Sequence, residues 1–138
     1  HIARLEQAFP PPRYHLDAES MREALSHRSM FNLIDVTERD KVDFWILTGS
    51  PFDMSRFSRR YEERVLGMRL KVSRPEDTIL AKLQWAVLSG GSEKQFTDAL
   101  RIFEVQREDL DLNYLERWVV KLGLEVLWKR LRDEAEEL

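Results

Sequence analysis

The sequence has no cysteine among its 138 residues. This absence excludes disulfide bonds, thiol catalysis and thiolate metal sites, and it suits a reducing compartment, so we expect a cytoplasmic protein. Positive charge is not in excess either, since 22 Lys and Arg residues stand against 25 Asp and Glu, for a formal net charge of −3. Nucleic acids and anionic membrane surfaces are therefore disfavoured as partners, although a local basic patch is compatible with this balance.

Long apolar runs are missing as well. The best stretch, Ile79 to Leu88, is interrupted by Lys82 and Gln84, and it is shorter than the roughly 20 residues that a membrane-spanning helix needs. What the chain does have is 43% hydrophobic and 34% charged residues. This balance indicates a soluble globular domain with a real core and argues against disorder.

The first half of the chain shows mixed periodicities. Apolar spacings of three to four residues predict helices, and alternation of apolar and polar residues predicts strands. In chain order these patterns predict a helix from Ile2 to Phe9, a strand 14–16, a helix capped by Asp17, a hairpin of strands 31–36 and 41–47, a charged helix from Asp53 to about Arg64, and a strand 68–72.

The pattern changes at Ser73. Ser73-x-x-Glu76 matches a capping box, and Pro75 lies in the first helical turn, where its missing N–H costs little. Only helical stripes follow, ending in an acidic tail, Asp133 to Glu137, that we expect to fray. The order predicts the α+β class, with an α/β part over residues 1–72 and a C-terminal helical bundle over 73–138 that packs on it as one compact unit.

One acidic residue in the predicted hairpin invites a chemical explanation. Val42 and Phe44 should face one side of the sheet, while Asp43 and Trp45 should face the other. Asp43 is either a solvated strand residue or a carboxylate that helps to hold a hard divalent cation such as Mg²⁺. Asp35, on the partner strand, is interpreted as an ordinary residue at a strand end.

Three cationic residues are candidates for phosphate contacts. Lys82 lies at the edge of an apolar helix stripe, where a lysine usually packs its stem and keeps its ammonium wet, or it reaches a phosphate or a strand carboxylate. Arg59 and Arg60 belong either to a solvated helix face or to a phosphate site. Asp98 is expected to pair with Arg101, three residues further along its helix.

In combination these segments resemble a bacterial family of nucleotidyltransferase-like proteins, some of which act as toxins or antitoxins. The resemblance covers nearly the whole chain and rests on FNLIDVTERDKVDFWIL, PEDTILAKL and GGSEKQ followed by LDLNYLERW. It implies transfer of a nucleotidyl group from an NTP with Mg²⁺. It also implies that Asp43 is the third acidic metal ligand and that Lys82 lies near the triphosphate.

The chain departs from the family pattern in one respect. The family places a Gly-Ser and an Asp-x-Asp before the third carboxylate, and the residues before Asp43 contain neither. Gly49-Ser50 and Asp109-Leu110-Asp111 come after Asp43, so they do not match. The chain is therefore expected to be inactive alone, either as a fragment with a gap in its sheet or as a member that has lost activity. Such a gap would favour dimerisation or exchange of elements.

A different class of function stays open beside the enzyme. The chain would then be a non-catalytic interaction module, such as one component of a toxin–antitoxin pair. An exposed apolar surface on the C-terminal helices would favour this alternative.

Overall fold

The computed structural model describes residues 1–135 and has the α+β class that the sequence predicts. The helices are α1 (Ile2–Ala8), α2 (Ala18–His27), α3 (Pro51–Ser58), α4 (Pro75–Leu88), α5 (Glu93–Gln106), α6 (Leu112–Leu122) and α7 (Glu125–Glu134). The strands are β1 (Tyr14–His15), β2 (Met30–Asp35), β3 (Asp40–Trp45), β4 (Tyr61–Val65) and β5 (Met68–Val72). None of the helices within this described part is long and apolar enough to cross a membrane.

The chain forms two compact units. The first comprises residues 1–54 and 63–70, and the second comprises residues 55–62 and the chain from Lys71 onward. The second part of this unit begins at Lys71, close to the boundary expected after residue 72. The unit also includes the segment Ser55–Glu62, which was expected in the first part of the chain. Ser55 and Arg59 bind side chains of the helical unit, which explains why the segment belongs with the helices.

The first unit is built on an antiparallel sheet of order β1-β2-β3. One face of the sheet carries Phe31 and Phe44, whose rings stack at 5.0 Å. Met21 and Ala24 of α2 are buried against Phe31, and apolar residues of α1 pack on the same cluster. Asp17 caps α2 as predicted, since its carboxylate accepts the backbone N–H of Ser20. This hairpin and its helices confirm the predicted order of the first elements.

The second unit contains the predicted C-terminal helices, α4 to α7. Its core is formed by side chains with almost no exposed area, among them Ile79, Leu83, Ala99, Leu115 and Leu131. Asp111 caps α6 by accepting the N–H of Tyr114, as predicted. Gly123 ends α6 in the left-handed conformation (φ 67°), which glycine adopts without steric cost.

The predicted helix from Asp53 to about Arg64 is wrong in its second half. Helix α3 ends at Ser58, and Tyr61–Val65 is strand β4, which pairs with β5 in a two-stranded sheet. The two-residue connection Leu66-Gly67 has positive φ at both positions, the geometry of a tight hairpin turn. Pairing with β5 satisfies backbone groups of both strands, an advantage that the local charge pattern does not reveal.

The predicted capping box at Ser73 does not form. Arg74 is the N-cap residue of α4 and makes no side-chain capping bond. The Glu76 carboxylate instead accepts the backbone N–H of Asp111 at 3.0 Å and a guanidinium N–H of Arg59 at 3.1 Å. The donors from Asp111 and Arg59 therefore take the place of the Ser73 backbone N–H, which Glu76 would bind in a capping box.

The predicted fraying of the acidic tail is wrong where the structure describes it. Asp133 and Glu134 lie in α7 and pair with Lys129 and Arg130, one helical turn earlier. The rest of the predicted tail, residues 136–137, lies outside the described residues.

Candidate functional site

Asp43 lies in the middle of β3, directly opposite Asn32 of β2. Because side chains alternate along a strand, Asp43 points to the face opposite Phe44, which packs in the core. Its side chain is 19% exposed. The predicted facing of Asp43 is thus confirmed. Its carboxylate is partly exposed to solvent and lies outside the apolar core.

Two neighbours contact the same oxygen of the Asp43 carboxylate. The side-chain amide of Asn32 donates to Asp43 Oδ1 at 2.5 Å, and Lys41 Nζ lies 3.3 Å from that oxygen. Asn32 faces Asp43 across the hairpin, while Lys41 lies two residues earlier on the same strand face. A neutral donor and a half-exposed cation therefore orient the carboxylate and partly balance its charge.

Asp35 lies on the other face of the sheet and is fully buried. Its Oδ2 accepts Nε and Nη2 of Arg13 at 3.0 and 2.9 Å, and its Oδ1 accepts the backbone N–H groups of Thr37 and Glu38. Burial raises the pKa of Asp35, but the bonds from Arg13, Glu38 and Thr37 outweigh it and leave the pKa below its ordinary value. These bonds close the hairpin, which is the ordinary structural role expected for Asp35.

Arg59 belongs to the second unit and is held by two carboxylates. Its Nε donates to Asp77 Oδ2 at 3.0 Å, and its Nη2 donates to Glu76 Oε2 at 3.1 Å. Its guanidinium also lies over the ring of Tyr114, 3.6 Å from the centroid. Both carboxylates are buried, so the cation of Arg59 compensates charges that could not otherwise be tolerated there.

Tyr114 completes this buried network. Its hydroxyl donates to Asp77 Oδ1 at 2.5 Å and lies 3.0 Å from Ser55 Oγ. Burial and the bond to Asp77 raise the pKa of Tyr114 to about 12. Residues 55–62 are therefore bound to α4 and α6 through Ser55, Arg59, Asp77 and Tyr114, and the network has the features of a structural tie rather than a reactive centre.

Arg60, the neighbour of Arg59, has different partners. Its Nε donates to the backbone carbonyl of Phe57 at 2.7 Å, and its guanidinium lies 3.3 Å from the centroid of the Phe57 ring. The two adjacent arginines therefore do not share a site. Arg59 compensates buried carboxylates, whereas Arg60 folds back on its own turn.

Lys82 is 7% exposed and forms an ion pair with Asp98, with Nζ 2.9 Å from Oδ2. The expected pair between Asp98 and Arg101 is wrong, because Arg101 pairs with Glu104 instead. A buried ammonium on α4 needs a counter-charge more than the exposed Arg101 does, and the packing of α4 on α5 brings Asp98 within its reach.

The residues predicted for a site are therefore distributed over several environments. Asp43 belongs to the first unit, and Arg59, Arg60 and Lys82 belong to the second. Within the second unit Arg59 and Lys82 bind different carboxylates and are not brought into one cluster. The partner of Asp43, Asn32, was not predicted from the sequence: the predicted strands 31–36 and 41–47 would pair Ile34 with Asp43, whereas in the observed register Asp35 faces Asp40 and Asn32 faces Asp43.

The side chains present do not by themselves fit a Mg²⁺ ion. Asp43 offers one hard oxygen ligand, but residues 1–135 contain no group of three His, Cys, Asp or Glu side chains placed to hold a metal. Asp35, the other acidic residue of the hairpin core, faces away and is saturated by Arg13 and two backbone donors. A magnesium centre would need further ligands from outside this set.

Comparison with known proteins supplies no family for the chain: no family model matches it, nor does any curated protein or solved structure.

Proposed function

We propose that this chain is part of a nucleotidyltransferase-like protein and that Asp43 is its third active-site carboxylate. The parent activity would be transfer of a nucleotidyl group from an NTP to an acceptor hydroxyl. Residues 1–138 would be inactive alone, because they supply neither the Gly-Ser that holds the phosphates nor the Asp-x-Asp that accompanies the third carboxylate in the resembling family.

The observation that carries the proposal is the placement of Asp43. A carboxylate on the non-core face of a strand, oriented by the Asn32 amide at 2.5 Å, has the fixed direction that a functional carboxylate requires. Strand β3 is also the outer strand of its sheet in the described part of the chain. A further strand that carries Asp-x-Asp could therefore pair beside it without displacing β2.

The three cationic candidates support the proposal unequally. Arg59 and Lys82 already compensate carboxylates, so binding a phosphate would require each to release a buried or half-buried anion. Arg60 donates to a backbone carbonyl instead. Arg59 and Lys82 are therefore residues that stabilise the helical unit, and Arg60 is the candidate that could bind a phosphate without releasing an anion.

The test begins with the coding sequence upstream of His1. The proposal requires that it encode a Gly-Ser and an Asp-x-Asp within about one helix and one strand. A protein that includes this segment should bind an NTP in the presence of Mg²⁺, whereas residues 1–138 should not. An upstream sequence without these motifs would remove the basis for an enzyme.

A second candidate is a non-catalytic interaction module, such as one partner of a toxin–antitoxin pair. The supporting observation is apolar exposure on the C-terminal helices, where Val120 is 66% and Val126 is 83% exposed. Co-expression with the protein encoded by the adjacent gene tests this candidate. A stoichiometric complex that Val126→Lys weakens would support it, and separate elution of the two proteins would refute it.

A further inference from the structure

The strand β1 is short and leaves part of one edge of β2 without a neighbour. It pairs only through Tyr14 with Asp35 and through His15 with Ile34. After His15 the chain turns away into α2, which begins at Ala18. The N-terminal part of β2, from Met30 to Leu33, therefore has no strand on this side within the described residues.

The direction of the backbone groups along β2 follows from two hydrogen bonds. The Val36 N–H donates to the Arg13 carbonyl, on the β1 side, at 2.8 Å, and the Ile46 N–H donates to the Ser29 carbonyl, on the β3 side, at 2.9 Å. N–H and C=O groups of successive residues point to opposite edges of a strand. The even-numbered residues Met30 and Asn32 thus direct their backbone donors and acceptors to the edge that β1 leaves open.

A cavity of about 290 Å³ lies along this open edge. The lining residues include Met30 and Asn32 of β2, Asp17, Ser20 and Glu23 of α2 and its cap, and His15 of β1. A groove between a helix and an open strand edge is the geometry in which extended peptides add to a sheet.

The charge of the cavity lining is negative. Its charged residues are Asp17 and Glu23, and no lysine or arginine lines it. The side-chain and backbone hydrogen bonds from Ser20 lower the pKa of Asp17, so they favour its charged form. A phosphate or a carboxylate would be repelled here, and a cationic side chain would be attracted.

We propose that this cleft between α2 and the open edge of β2 binds an extended peptide segment that carries a lysine or an arginine. The peptide backbone adds as a strand beside Met30 and Asn32, which together offer two N–H and two C=O groups. The cationic side chain pairs with Glu23 and Asp17. The backbone bonds select an extended chain, and the carboxylates select its charge.

The experiment uses the 138-residue chain labelled with ¹⁵N and the peptide acetyl-Thr-Val-Lys-Val-Thr-amide. Saturable shifts of the Met30 and Asn32 backbone amide signals on titration are the expected result. Replacing the central lysine of the peptide by glutamate should weaken binding about fivefold or more. Methylating the backbone nitrogens of the two valines should abolish binding, because it removes donors from the added strand.

Two charge-reversal variants of α2 test whether the carboxylate of Glu23 attracts the lysine of the peptide. Glu23→Lys reverses a charge that lines the cleft, and Glu19→Lys reverses an exposed charge on the same helix outside it. Only Glu23→Lys should weaken binding of the lysine peptide. Equal effects of the two variants, equal binding of the N-methylated peptide, or no saturable shift at Met30 and Asn32 would overturn the proposal. A dimer in sedimentation whose formation shifts the Met30 and Asn32 amide signals without any peptide would show that a second copy of the chain occupies this edge, and it would overturn the proposal as well.

Discussion

The guanidinium of Arg59 lies over the ring of Tyr114, 3.6 Å from its centroid, while both side chains bind the same buried carboxylate, Asp77. Asp77 has no exposed area, so these two donors satisfy a carboxylate that water does not reach. This arrangement ties Ser55–Glu62 to the helical unit. Substitutions in this network should therefore lower the free energy of unfolding.

Tyr114→Phe should destabilise the protein by about 1–2 kcal/mol, because it removes one donor from a buried carboxylate and leaves the packing of the ring in place. The free energy of unfolding from urea denaturation measures the effect. Tyr61→Phe is the matched control, since it removes a tyrosine hydroxyl from a residue outside this network. Equal losses for the two variants would show that the bond to Asp77 contributes nothing specific.

Arg59→Ala should cost about 2–3 kcal/mol, because it leaves Glu76 and Asp77 buried with their main cationic partner removed. The adjacent Arg60→Ala should cost about 0.5 kcal/mol or less, since Arg60 bonds only to a carbonyl and a ring of its own turn. Thermal or urea unfolding of both variants checks the difference. A larger loss for Arg60→Ala would contradict the assigned roles.

The stability of the first unit should depend on Asp35 in acid. Because the folded-state pKa of Asp35 lies below its ordinary value of 3.8, its contribution is complete above that value and is lost as the pH falls through the folded-state pKa. Urea midpoints measured from pH 2 to pH 6 should fall toward acid in the wild type. The variant Asp35→Asn should be less stable throughout and should show a weaker dependence over the acidic end. If the urea midpoints of the two proteins fell equally with pH, ionisation of Asp35 would not be a source of the acid dependence.

The sequence was sufficient for elements whose signals are local. The alternation around Asp43, the caps at Asp17 and Asp111, and the glycine at 123 each act within a few residues, and the structure confirms them. The prediction failed where a distant partner decided the outcome. The segment after Ser58 became a strand because β5 pairs with it.

The candidate site was predictable to the same extent. The facing of Asp43 follows from strand periodicity, but its partner Asn32 does not, because the predicted turn 37–40 would place Ile34 opposite Asp43 and the observed turn lies one residue earlier. The partners of Arg59 and Lys82 lie 16 to 18 residues away on other helices. No spacing rule within one helix contains that information, so Asp98 was paired wrongly with Arg101.

The proposed role of Asp43 as an active-site carboxylate can be tested by nucleotide binding to a protein that includes the upstream segment. Titration calorimetry with Mg²⁺–ATP would compare the wild type with Asp43→Asn and with Asp40→Asn, which changes an exposed aspartate on the same strand. We expect Asp43→Asn to abolish the metal dependence of binding and Asp40→Asn to leave it unchanged. Unaltered Mg²⁺-dependent binding by Asp43→Asn would contradict it.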